Sequence, residues 1–557
     1  MNDQFDVAIL GAGFEGGMLA TILAYKGAKV VLIDAGTHPR FALGESTERH
    51  TFRMIKIMAE RFGVPEFKTE FNSGEQLHKH VSAGFGVKKN FGFVYHRAGQ
   101  HQKPEESTQL VIPPYREGYE AHLFRQDTDA YLTYTAIHHG ATVKYKTFVK
   151  EVETDQQGVT IKTDKGETIR ARFIADASGG GHVLARMWNL RDNPPRVRLQ
   201  TRCLFTHMID VKPYDDLTLP NGVPQAPRPW YSGTCHHLFD GGWLWVIPFD
   251  NREGSTNKLV SVGLSFDIRK FPKPTDITPD QEWQQFLERF PSIQAQFKDA
   301  KLVRDWVSSD RLQGSVKQSV GDRWAIMAGV AGSCFLDALF SRGLASSVEV
   351  INALAARLLG ALKDDDFRAA RFEYISRIHE ANLRNNDRLV FAAYTSFRDF
   401  DLWNAWFRIW ALGGGLGDLN LASIYRRYKS SHDDSILPDA EEPMGLFYSQ
   451  HKGFGELFDS AVAKMDEVEA GTTDPKEASR YIFSLVQNAK FNATPTRLGD
   501  PEAHFINAGA PLTTLKTLVW LVTSAPPEIR KMTLGLLGDI GGSRKAHPTP
   551  SAGTAGA

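Results

Sequence analysis

The stretch "FDVAILGAGFEGGMLATILAYKGAKVVLIDAG", residues 5–36, joins two apolar runs through a glycine-rich turn. The first run is typical of a buried strand, and the residues after the turn continue with the apolar pattern of a buried helix. Gly11, Gly13 and Gly16 satisfy the pattern G-x-G-x-x-G between that strand and that helix. Such glycines permit a tight turn and the close approach of a pyrophosphate to the helix N-terminus. The segment therefore predicts a βαβ unit with a dinucleotide site, in an α/β chain of Rossmann type.

Three further residues extend this predicted site. Asp34 follows the second apolar run and is the residue type that binds a ribose hydroxyl. Phe14 and Glu15 occupy the variable positions of the glycine motif, so we expect them beside the cofactor. A glycine-rich turn without a ligand is the alternative, and it is disfavoured because the strand, the helix and the acidic residue occur together.

The composition excludes several other functions. The 557 residues include 65 Lys plus Arg and 65 Asp plus Glu, so the chain lacks the basic excess of a nucleic-acid or anionic-membrane binder. Its three cysteines have no metal-ligand or disulfide spacing, so we expect no metal site and a reducing, cytoplasmic compartment. The sequence contains no uninterrupted apolar run of about 18 residues that would predict a membrane span, and its start has no signal-peptide pattern.

The remainder of the chain shows three kinds of pattern. "DQQG" and "DKGE" look like hairpin tips between short strands after residue 140. Residues 200–270 are rich in aromatic and β-branched side chains, which predicts a second sheet. From about residue 344 the pattern is helical, and "GGGLGD", residues 413–418, predicts a break in this helical region.

Three segments resemble those of FAD-dependent enzymes. "AHLFRQDTDAYLTYTAIHHGATV" resembles the segment of FAD monooxygenases in which an arginine, here Arg125, meets the cofactor. "FIADASGG", which contains Asp176, resembles the strand and turn that close over the flavin nucleotide. "GDRWAIMAGVAGSCFLDALFSRG", which contains Gly329, resembles the C-terminal flavin fingerprint. The resemblance implies FAD, and because no second G-x-G-x-x-G follows a strand, it implies that a separate NAD(P)H-dependent flavin reductase supplies the electrons.

Four shorter stretches resemble the flavin-dependent halogenases, in particular the branch that halogenates phenols and polyketides. "GWLWVIP", residues 242–248, matches the W-x-W-x-I-P signature, and "PRFALGEST", residues 39–47, resembles the loop beside the flavin ring. "VKKNFGFVYHR", residues 87–97, resembles the segment of the catalytic lysine, and "FLDALFSRG", residues 335–343, resembles the segment beside the halide. The likeness runs through most of the chain.

This resemblance implies a reaction and a set of residues. Reduced FAD and O2 oxidise chloride or bromide to hypohalous acid, which passes through a tunnel to Lys88 and then to an aromatic substrate. Lys89 is expected to point the other way and stay solvated. The remaining implied residues are the tunnel wall of Trp243, Trp245, Ile247 and Pro248, the halide site of Ser341, Arg342 and Gly343, and the cofactor contacts Arg40, Gly44 and Ser46.

Two departures from the family pattern bear on the substrate. Ala338 stands where the family's halide segment has proline. Alanine does not fix φ as proline does, so we expect a looser turn here. Phe340 stands where the tryptophan-halogenating branch has a glutamate that supports the lysine, so we expect a phenolic, pyrrolic or polyketide-type aromatic substrate, with a phenol favoured, rather than free tryptophan. A free and a carrier-tethered substrate both remain open, as do a monomer and a homodimer. A flavin-dependent aromatic monooxygenase built on a halogenase scaffold is the alternative function, and an idle carrier-binding scaffold is a third.

The domain organisation follows from these patterns and resemblances. We expect an α/β, FAD-binding Rossmann-type domain of the p-hydroxybenzoate hydroxylase and glutathione reductase type over residues 1–345. A second β-sheet substrate region is interleaved with it, at about 80–120 and 190–310. A helical C-terminal region follows over 346–540, and residues 541–557 form a disordered tail.

Overall fold

The computed structural model describes residues 4–114, 118–333, 337–439 and 451–533. The predicted disordered tail therefore lies outside the described residues. The strands, in chain order, are β1 (Gln4–Leu10), β2 (Val30–Ile33), β3 (Gly86–Lys88), β4 (Asn90–Tyr95), β5 (Ser107–Val111), β6 (Glu120–His122), β7 (Thr142–Lys144), β8 (Val149–Thr154), β9 (Val159–Thr163), β10 (Thr168–Asp176), β11 (Thr201–Ile209), β12 (Thr234–Phe239), β13 (Gly242–Pro248), β14 (Val260–Asp267), β15 (Lys301–Leu302), β16 (Val307–Ser308), β17 (Val320–Gly321), β18 (Trp324–Ile326) and β19 (Phe505–Ile506).

The helices cover one face of the first sheet and make up most of the C-terminal third. In chain order they are α1 (Phe14–Tyr25), α2 (Arg49–Phe62), α3 (Pro65–Thr69), α4 (Gly74–His80), α5 (Arg125–His138), α6 (Val183–Met187), α7 (Pro279–Arg289), α8 (Pro291–Phe297), α9 (Ala328–Ala331), α10 (Gly343–Asp364), α11 (Ala369–Ser396), α12 (Phe400–Ser431), α13 (Lys452–Glu469), α14 (Pro475–Asn488) and α15 (Pro511–Thr523).

The first sheet is built around the quoted segment. Its order is β17-β18-β10-β1-β2-β7, and the four neighbouring pairs from β18 to β7 are parallel. β8 pairs with β9, and β9 pairs with the first half of β10. The predicted "DQQG" tip connects β8 to β9, and the predicted "DKGE" tip connects β9 to β10. β2 and the last four residues of β1 are buried because helices including α1 and α10 cover one face of the sheet, while the β8–β9 hairpin and α6 cover the other. The predicted α/β fold of Rossmann type is confirmed.

The second sheet carries the two tryptophans of the halogenase signature. Its order is β15-β11-β14-β13-β12-β4-β5-β19, with β16 alongside β11. Trp243, Trp245 and Ile247 on β13 lie in one hydrophobic core, whereas Leu244 and Val246 lie in another. Alternate side chains of a strand point to opposite faces, so the tryptophans share one face as predicted. That face packs against the C-terminal helices.

The C-terminal region is helical, but the predicted break at residues 413–418 is wrong. α12 runs without interruption through "GGGLGD". Each interior glycine costs a helix roughly 0.5–1 kcal/mol relative to alanine. The packing of α12 on α2 and α14 offsets this cost, so the run stays helical. The absence of side chains leaves open space beside the helix, which becomes important for the site.

One helix of the described residues, α10, is long and apolar enough to cross a membrane. Inside the protein, 78% of its most apolar window is buried. It packs against α1, α2 and α11, as a core helix of a two-layer α/β domain does.

Candidate active site

The glycine turn has the geometry that the motif requires. Gly11 has φ of +94°, a conformation that favours glycine. A Cβ on Gly16 would lie 1.9 Å from the carbonyl oxygen of Gly11, so no larger residue fits there. Gly13 directly precedes α1, and a Cβ there would meet only ordinary contacts, the nearest 3.6 Å away. The N-terminus of α1 is therefore open to an anion next to a closely packed turn.

Asp34 is bound by its own chain at the end of β2. Its carboxylate accepts hydrogen bonds from the amides of Ala12 and Gly36 and from the guanidinium of Arg40, each at 2.7 Å. Burial opposes ionisation, but these hydrogen bonds outweigh it and lower the pKa of Asp34. Asp34 and Arg40 thus form one charged pair beside the glycine turn.

Glu15 links the glycine motif to the predicted flavin segment of Gly329 and to α10. Its carboxylate accepts hydrogen bonds from the amide of Gly329, at 3.1 and 3.2 Å, and from the hydroxyl of Ser347, at 2.6 Å. Burial raises the pKa of Glu15, and the bonds from Ser347 and Gly329 act against this rise. Neighbouring Phe14 is also buried. The carboxylate therefore joins α1 to the turn after β18 and to α10.

Arg125 and Asp176 hold turns around the same site. The Arg125 guanidinium donates to both carboxylate oxygens of Asp129, at 2.8 and 2.9 Å, and to the carbonyls of Leu43 and Gly44. This ties α5 to the predicted flavin-ring loop. Asp176 accepts hydrogen bonds from residues 178 and 184 after β10, and burial raises its pKa.

The residues present fit FAD by the chemistry of their donors and acceptors. A glycine turn at a helix N-terminus suits a pyrophosphate, and the carboxylate at the end of β2 suits a ribose. The Nδ1 atom of His38 is buried without a hydrogen-bond partner, while its Nε2 contacts the carbonyl of Ala12 inside the glycine turn at 2.7 Å. An unsatisfied polar atom at this turn is what an additional ligand would complete.

Two cavities lie beyond this region, and we name them by position. The inner cavity has about 50 Å³ and brings together three segments that the sequence analysis selected. It is lined by Leu43, Gly44, Glu45, Ser46, Thr234, His236, Trp243, Trp245, Ile247, Asp337, Ala338, Ser341, Gly343 and Leu344. Pro248 follows on the same strand but is not part of the lining.

The outer cavity is larger, at about 320 Å³, and apart from Phe91 and Arg342 its walls lie outside the halogenase-like segments. Apolar and aromatic side chains dominate it, and one wall is the glycine run of α12. Its lining includes Glu48, Arg49, His50, Phe91, Ile112, Glu120, Arg342, Trp410, Gly414, Gly415, Leu416, Gly417, Asp418, Phe491 and Thr517. The size falls at the lower end of the range for small-molecule sites, about 300–1,000 Å³.

Lys88 lies between the two cavities. Its ammonium donates to the carbonyl of Thr47 at 2.6 Å and to the hydroxyl of Ser341, which lines the inner cavity, at 3.1 Å. It also lies 3.3 Å from the ring centroid of Phe91, which lines the outer cavity. Lys88 is 0% exposed, whereas Lys89 is partly exposed. The sequence thus distinguished the buried lysine from its neighbour.

A chain of hydrogen bonds fixes the lysine. Beyond Lys88 it runs from Ser341 to Ser46 and on to Thr234, with 3.0 Å between successive hydroxyl oxygens. Thr234 then meets Nε2 of His122 at 3.0 Å, and Nδ1 of His122 contacts the carbonyl of Pro248 at 2.8 Å.

The direction of this chain follows from its end. A carbonyl only accepts, so Nδ1 of His122 donates to it, and Nε2 of the neutral ring accepts from Thr234. Burial lowers the pKa of His122 to about 3, which keeps the ring neutral. Each hydroxyl then donates onward, and Ser341 accepts from Lys88.

Burial also sets the protonation of the lysine and of a carboxylate opposite it. Burial lowers the pKa of Lys88 to about 7, while Glu120 and Glu48 act in the opposite direction. Burial raises the pKa of Glu120 to about 8, and the charges of Lys88 and Arg49 act against this rise. Both groups therefore exchange protons near neutral pH.

The predicted halide segment divides between the cavities. Ser341 and Gly343 line the inner cavity, but the side chain of Arg342 donates to Glu48 at 2.6 Å on the outer side. The Ser341 amide donates to the carbonyl of Ala338 within the turn. α10 begins at Gly343, so the positive end of its dipole faces the inner cavity.

The tryptophan pair is held rigidly in the inner wall. The two ring centroids lie 5.4 Å apart, and the indole N–H of Trp243 donates to Asp337 at 3.0 Å. That of Trp245 donates to Ser261 at 3.2 Å. Asp337 also accepts from Ser265 and Tyr394.

Several site residues carried no signal in the sequence. Glu120 and Thr234 belong to strands whose pairing no local pattern predicts, and His122 lies in the segment that resembled FAD monooxygenases without any sign of this contact. Phe91 and Asp337 do lie in segments that resembled the family, but only the fold shows that one contacts Lys88 and the other Trp243.

Several known proteins are similar to this chain in sequence and in structure. Residues 6–216 match the family of FAD dependent oxidoreductases. A monodechloroaminopyrrolnitrin halogenase of Pseudomonas fluorescens is 43% identical, covering 95% of this chain and 94% of its own length. A tetracycline 7-halogenase of Kitasatospora aureofaciens is 38% identical, covering 98% and 97%. The crystal structure of the halogenase PltM in complex with phloroglucinol and FAD is 30% identical, has a TM-score of 0.84, and covers 90% of this chain and 100% of that chain.

The fold and the site thus define an FAD-dependent oxidoreductase. Within that class the chain belongs to the family of flavin-dependent halogenases, with which it shares sequence along nearly its full length. It is an enzyme that uses FADH2, O2 and chloride or bromide to halogenate an aromatic substrate, as the sequence predicted. The comparisons give no support to the monooxygenase alternative.

Proposed function

We propose that this halogenase carries hypohalous acid from the inner cavity, past Lys88, to a phenolic substrate in the outer cavity. The observation that supports the route is the buried Lys88 ammonium, which contacts the lining of both cavities. FADH2, when bound, supplies with O2 the oxidising power that turns the halide into hypohalous acid.

The cofactor contacts in this proposal are those of the sequence analysis. The turn of Gly11, Gly13 and Gly16, with Phe14 and Glu15, would hold the pyrophosphate at the start of α1. Asp34 would bind the ribose, with Arg40 beside it. The supporting contacts are the ties that Arg125, Asp176 and Gly329 make among the surrounding turns. Gly44 and Ser46 line the inner cavity and would face the flavin ring.

The halide would bind at the inner cavity near Ser341 and Gly343. The N-terminus of α10 opens there, and backbone amides at a helix N-terminus attract an anion. Because the side chain of Arg342 points to the outer side, its contribution would come from its amide.

Lys88 is positioned to receive the oxidant. With its pKa lowered to about 7, the side chain has both an ammonium form that hydrogen-bonds hypohalous acid and a neutral form that attacks it. The bonds to Thr47 and Ser341 hold the nitrogen at the boundary between the cavities.

The tryptophan wall would keep the substrate from the flavin. Trp243 and Trp245 are large, rigid and packed against each other, and with Ile247 and the neighbouring Pro248 they close the face of β13. An inner cavity of about 50 Å³ admits a small oxidant but no aromatic ring.

A phenol suits the outer cavity. Aromatic and apolar walls accept a ring, and Glu120 offers an acceptor for a hydroxyl group. Phloroglucinol, bound in the PltM structure, is a phenol. A pyrrole-type substrate is the second candidate, because the 43% identical relative is a monodechloroaminopyrrolnitrin halogenase.

The partners follow from the same comparison. A separate NAD(P)H-dependent reductase would supply FADH2 to this chain. The relatives that match over nearly the full length are halogenases of aminopyrrolnitrin type and of tetracycline, which favours a free substrate over a carrier-tethered one. We expect a monomer or homodimer in the cytoplasm.

The test supplies the enzyme with a flavin reductase, NADH, a halide and a panel of phenols and pyrroles. Product masses are read with chloride, with bromide and without halide. We expect halogenated phenols only when halide is present. Products that are hydroxylated and never halogenated would contradict the proposal, and halogenation of pyrroles alone would favour the second candidate.

A further inference from the structure

We propose that Glu120 is the catalytic base of this enzyme: it accepts the proton that the aromatic ring releases and returns it to Lys88. The inference rests on the proposed route through Lys88 and adds the group that completes the proton cycle.

The position of Glu120 carries the inference. β3 and β6 form an antiparallel pair in which Lys88 and Glu120 are direct cross-strand partners. Such partners share one face of the sheet, with Cβ atoms about 4.5–5.5 Å apart. Glu120 lines the outer cavity, where the substrate would bind, and its charge acts on the nearby Lys88 ammonium.

One oxygen of this carboxylate has no protein partner. Glu120 is 1% exposed, and its Oε1 atom lies 3.6 Å from Nε of Arg49. Its Oε2 atom is buried without a hydrogen-bond partner. Buried carboxylate oxygens are ordinarily satisfied, so an unsatisfied oxygen at a cavity wall is suited to a proton on a ligand.

The surrounding charges keep the carboxylate near its point of titration. Burial raises the pKa of Glu120, and positive groups on β3 and α2 oppose negative groups on α2 and α12. The charged groups that act on it are Lys88, Arg49, Glu48 and Asp418, and Arg342 and His50 line the same cavity. A base with a pKa near the working pH both accepts and returns a proton readily.

The proposed step balances as follows. The ring carbon forms its bond to the halogen while the oxygen–halogen bond of hypohalous acid breaks, and the halogen is reduced as the ring is oxidised. The electron pair of the broken bond leaves with oxygen, which takes a proton from the Lys88 ammonium and departs as water. The proton on the ring carbon passes to Glu120, and its electron pair restores the ring. Glu120 then returns that proton to the neutral amine of Lys88.

This assignment explains the departure at Phe340. Phe340 is buried and stacks on Trp410, with 5.0 Å between ring centroids. The halide segment therefore offers no carboxylate at that position. β6 brings one to the lysine from the opposite strand instead.

The experiment compares Glu120→Gln and Glu120→Asp with the wild type, with Glu66→Gln on α3 as the matched control. Glu66 is a partly buried glutamate that contacts His139 and lines neither cavity. The readouts are FAD binding, product formation with ring-deuterated and ordinary phenol, and the pH profile of the rate.

We expect Glu120→Gln to bind FAD and to halogenate at least about 100-fold more slowly, the lower end for loss of a general base. Its deuterium isotope effect should exceed that of the wild type, because ring deprotonation becomes slow. The limb in which the rate rises with pH should disappear, and the limb set by Lys88 should move to lower pH because the neighbouring negative charge is gone. Glu120→Asp should recover part of the rate, and Glu66→Gln should match the wild type.

Unchanged rate, isotope effect and pH profile in Glu120→Gln would overturn the inference while the proposed function stands. A lower rate with an unchanged isotope effect and pH profile would also overturn it, since that result describes a structural role. Absence of halogenation in the wild type would instead contradict the proposed function.

Discussion

The two cavities on either side of Lys88 are built in different ways. The inner cavity is small and is walled by rigid side chains from three separated segments, each of which is a recognisable motif. The outer cavity is about six times larger by volume and takes much of its space from glycines on one helix. In the proposed route, the inner cavity admits the small oxidant and the outer cavity holds the aromatic ring.

In the proposed route, the two cavities have different tasks, which are formation of the oxidant and recognition of the substrate. The oxidant forms at the inner cavity, and three of the segments that line it resemble segments of the family. The outer cavity would hold the substrate, and most of its lining residues lie outside those segments. We therefore expect a change of the same size to have different consequences on the two sides.

A single added methyl group on each side gives the largest contrast. On β14, a Cβ at Gly263 would lie 2.1 Å from the ring of Trp245, which must then shift into the inner cavity. We expect Gly263→Ala to lower the halogenation rate by about 10², as for displacements of about 1 Å at an active site. It should also cost about 1–3 kcal/mol of unfolding free energy. Steady-state rates and urea unfolding measure both effects.

The matched control is Gly415→Ala on α12. A Cβ at Gly415 meets no atom within 4 Å. We expect the rate with a small phenol to stay near that of the wild type and the unfolding free energy to rise by roughly 0.5–1 kcal/mol. If Gly415→Ala were the more damaging of the two, the contrast between the cavities would be wrong.

A larger side chain on α12 sharpens the contrast in specificity. Gly415→Leu should fill part of the outer cavity and exclude multi-ring substrates while single-ring phenols still enter. We expect the ratio of kcat/KM for single-ring over multi-ring phenols to rise at least about tenfold, since a few methylene groups in a pocket discriminate by that much or more. An equal loss for both substrates would show that Gly415 does not face the bound ring.

The two tryptophans of the inner wall differ in what holds them. Trp243→Phe removes a donor from the buried carboxylate of Asp337, whereas Trp245→Phe removes one from a hydroxyl. We expect the first to cost about 1–3 kcal/mol and the second about 0.5–1.5 kcal/mol, because a charged acceptor loses more. The midpoints of urea unfolding, compared at constant m-value, would show which variant loses more stability. A larger loss for Trp245→Phe than for Trp243→Phe would contradict this expectation.

The smallest expected effect is on the pH dependence of stability. The pKa of Lys88 is lowered to about 7, so it makes the folded state more stable as pH rises above 7. The pKa of Glu120 is raised to about 8, so it makes the folded state less stable as pH rises towards 8. Between pH 7 and 8 the two contributions oppose each other in the wild type.

Lys88→Met removes the contribution of Lys88, so that only the contribution of Glu120 remains. Its unfolding free energy, relative to the wild type, should fall by up to about 1.4 kcal/mol between pH 7 and 8. Urea unfolding at both pH values provides the difference, in which the other titrating groups cancel. A difference that rises with pH would mean that the pKa of Lys88 is not lowered in the folded state.

The sequence allowed the fold and the inner half of the site to be predicted for a physical reason. The glycine turn, the alternation around Trp243 and Trp245, and the lysine at 88 are local patterns, and a local pattern survives in a single sequence. The resemblance of the segment selected Lys88, and strand alternation placed Lys89 on the opposite side; Lys88 is buried and Lys89 is partly exposed.

The outer half depends on register and on tertiary packing. Glu120 faces Lys88 only because β6 pairs with β3 in one particular register, and a three-residue strand carries no signal for it. The glycine run looked like a helix break because glycine disfavours helices locally. Packing along the full length of α12 overrides that preference, and the missing side chains become the cavity.

The central claim is that Lys88 passes the oxidant between the cavities, and one measurement tests it most directly. Reduced enzyme is mixed with O2, halide and phenol, and both halogenated product and hypohalous acid caught by a trapping reagent are quantified for wild type, Lys88→Met and Lys89→Met. We predict that Lys88→Met still yields trapped hypohalous acid but forms product about 10²–10⁴ times more slowly, while Lys89→Met behaves as wild type. Product formed by Lys88→Met at the wild-type rate would contradict the account.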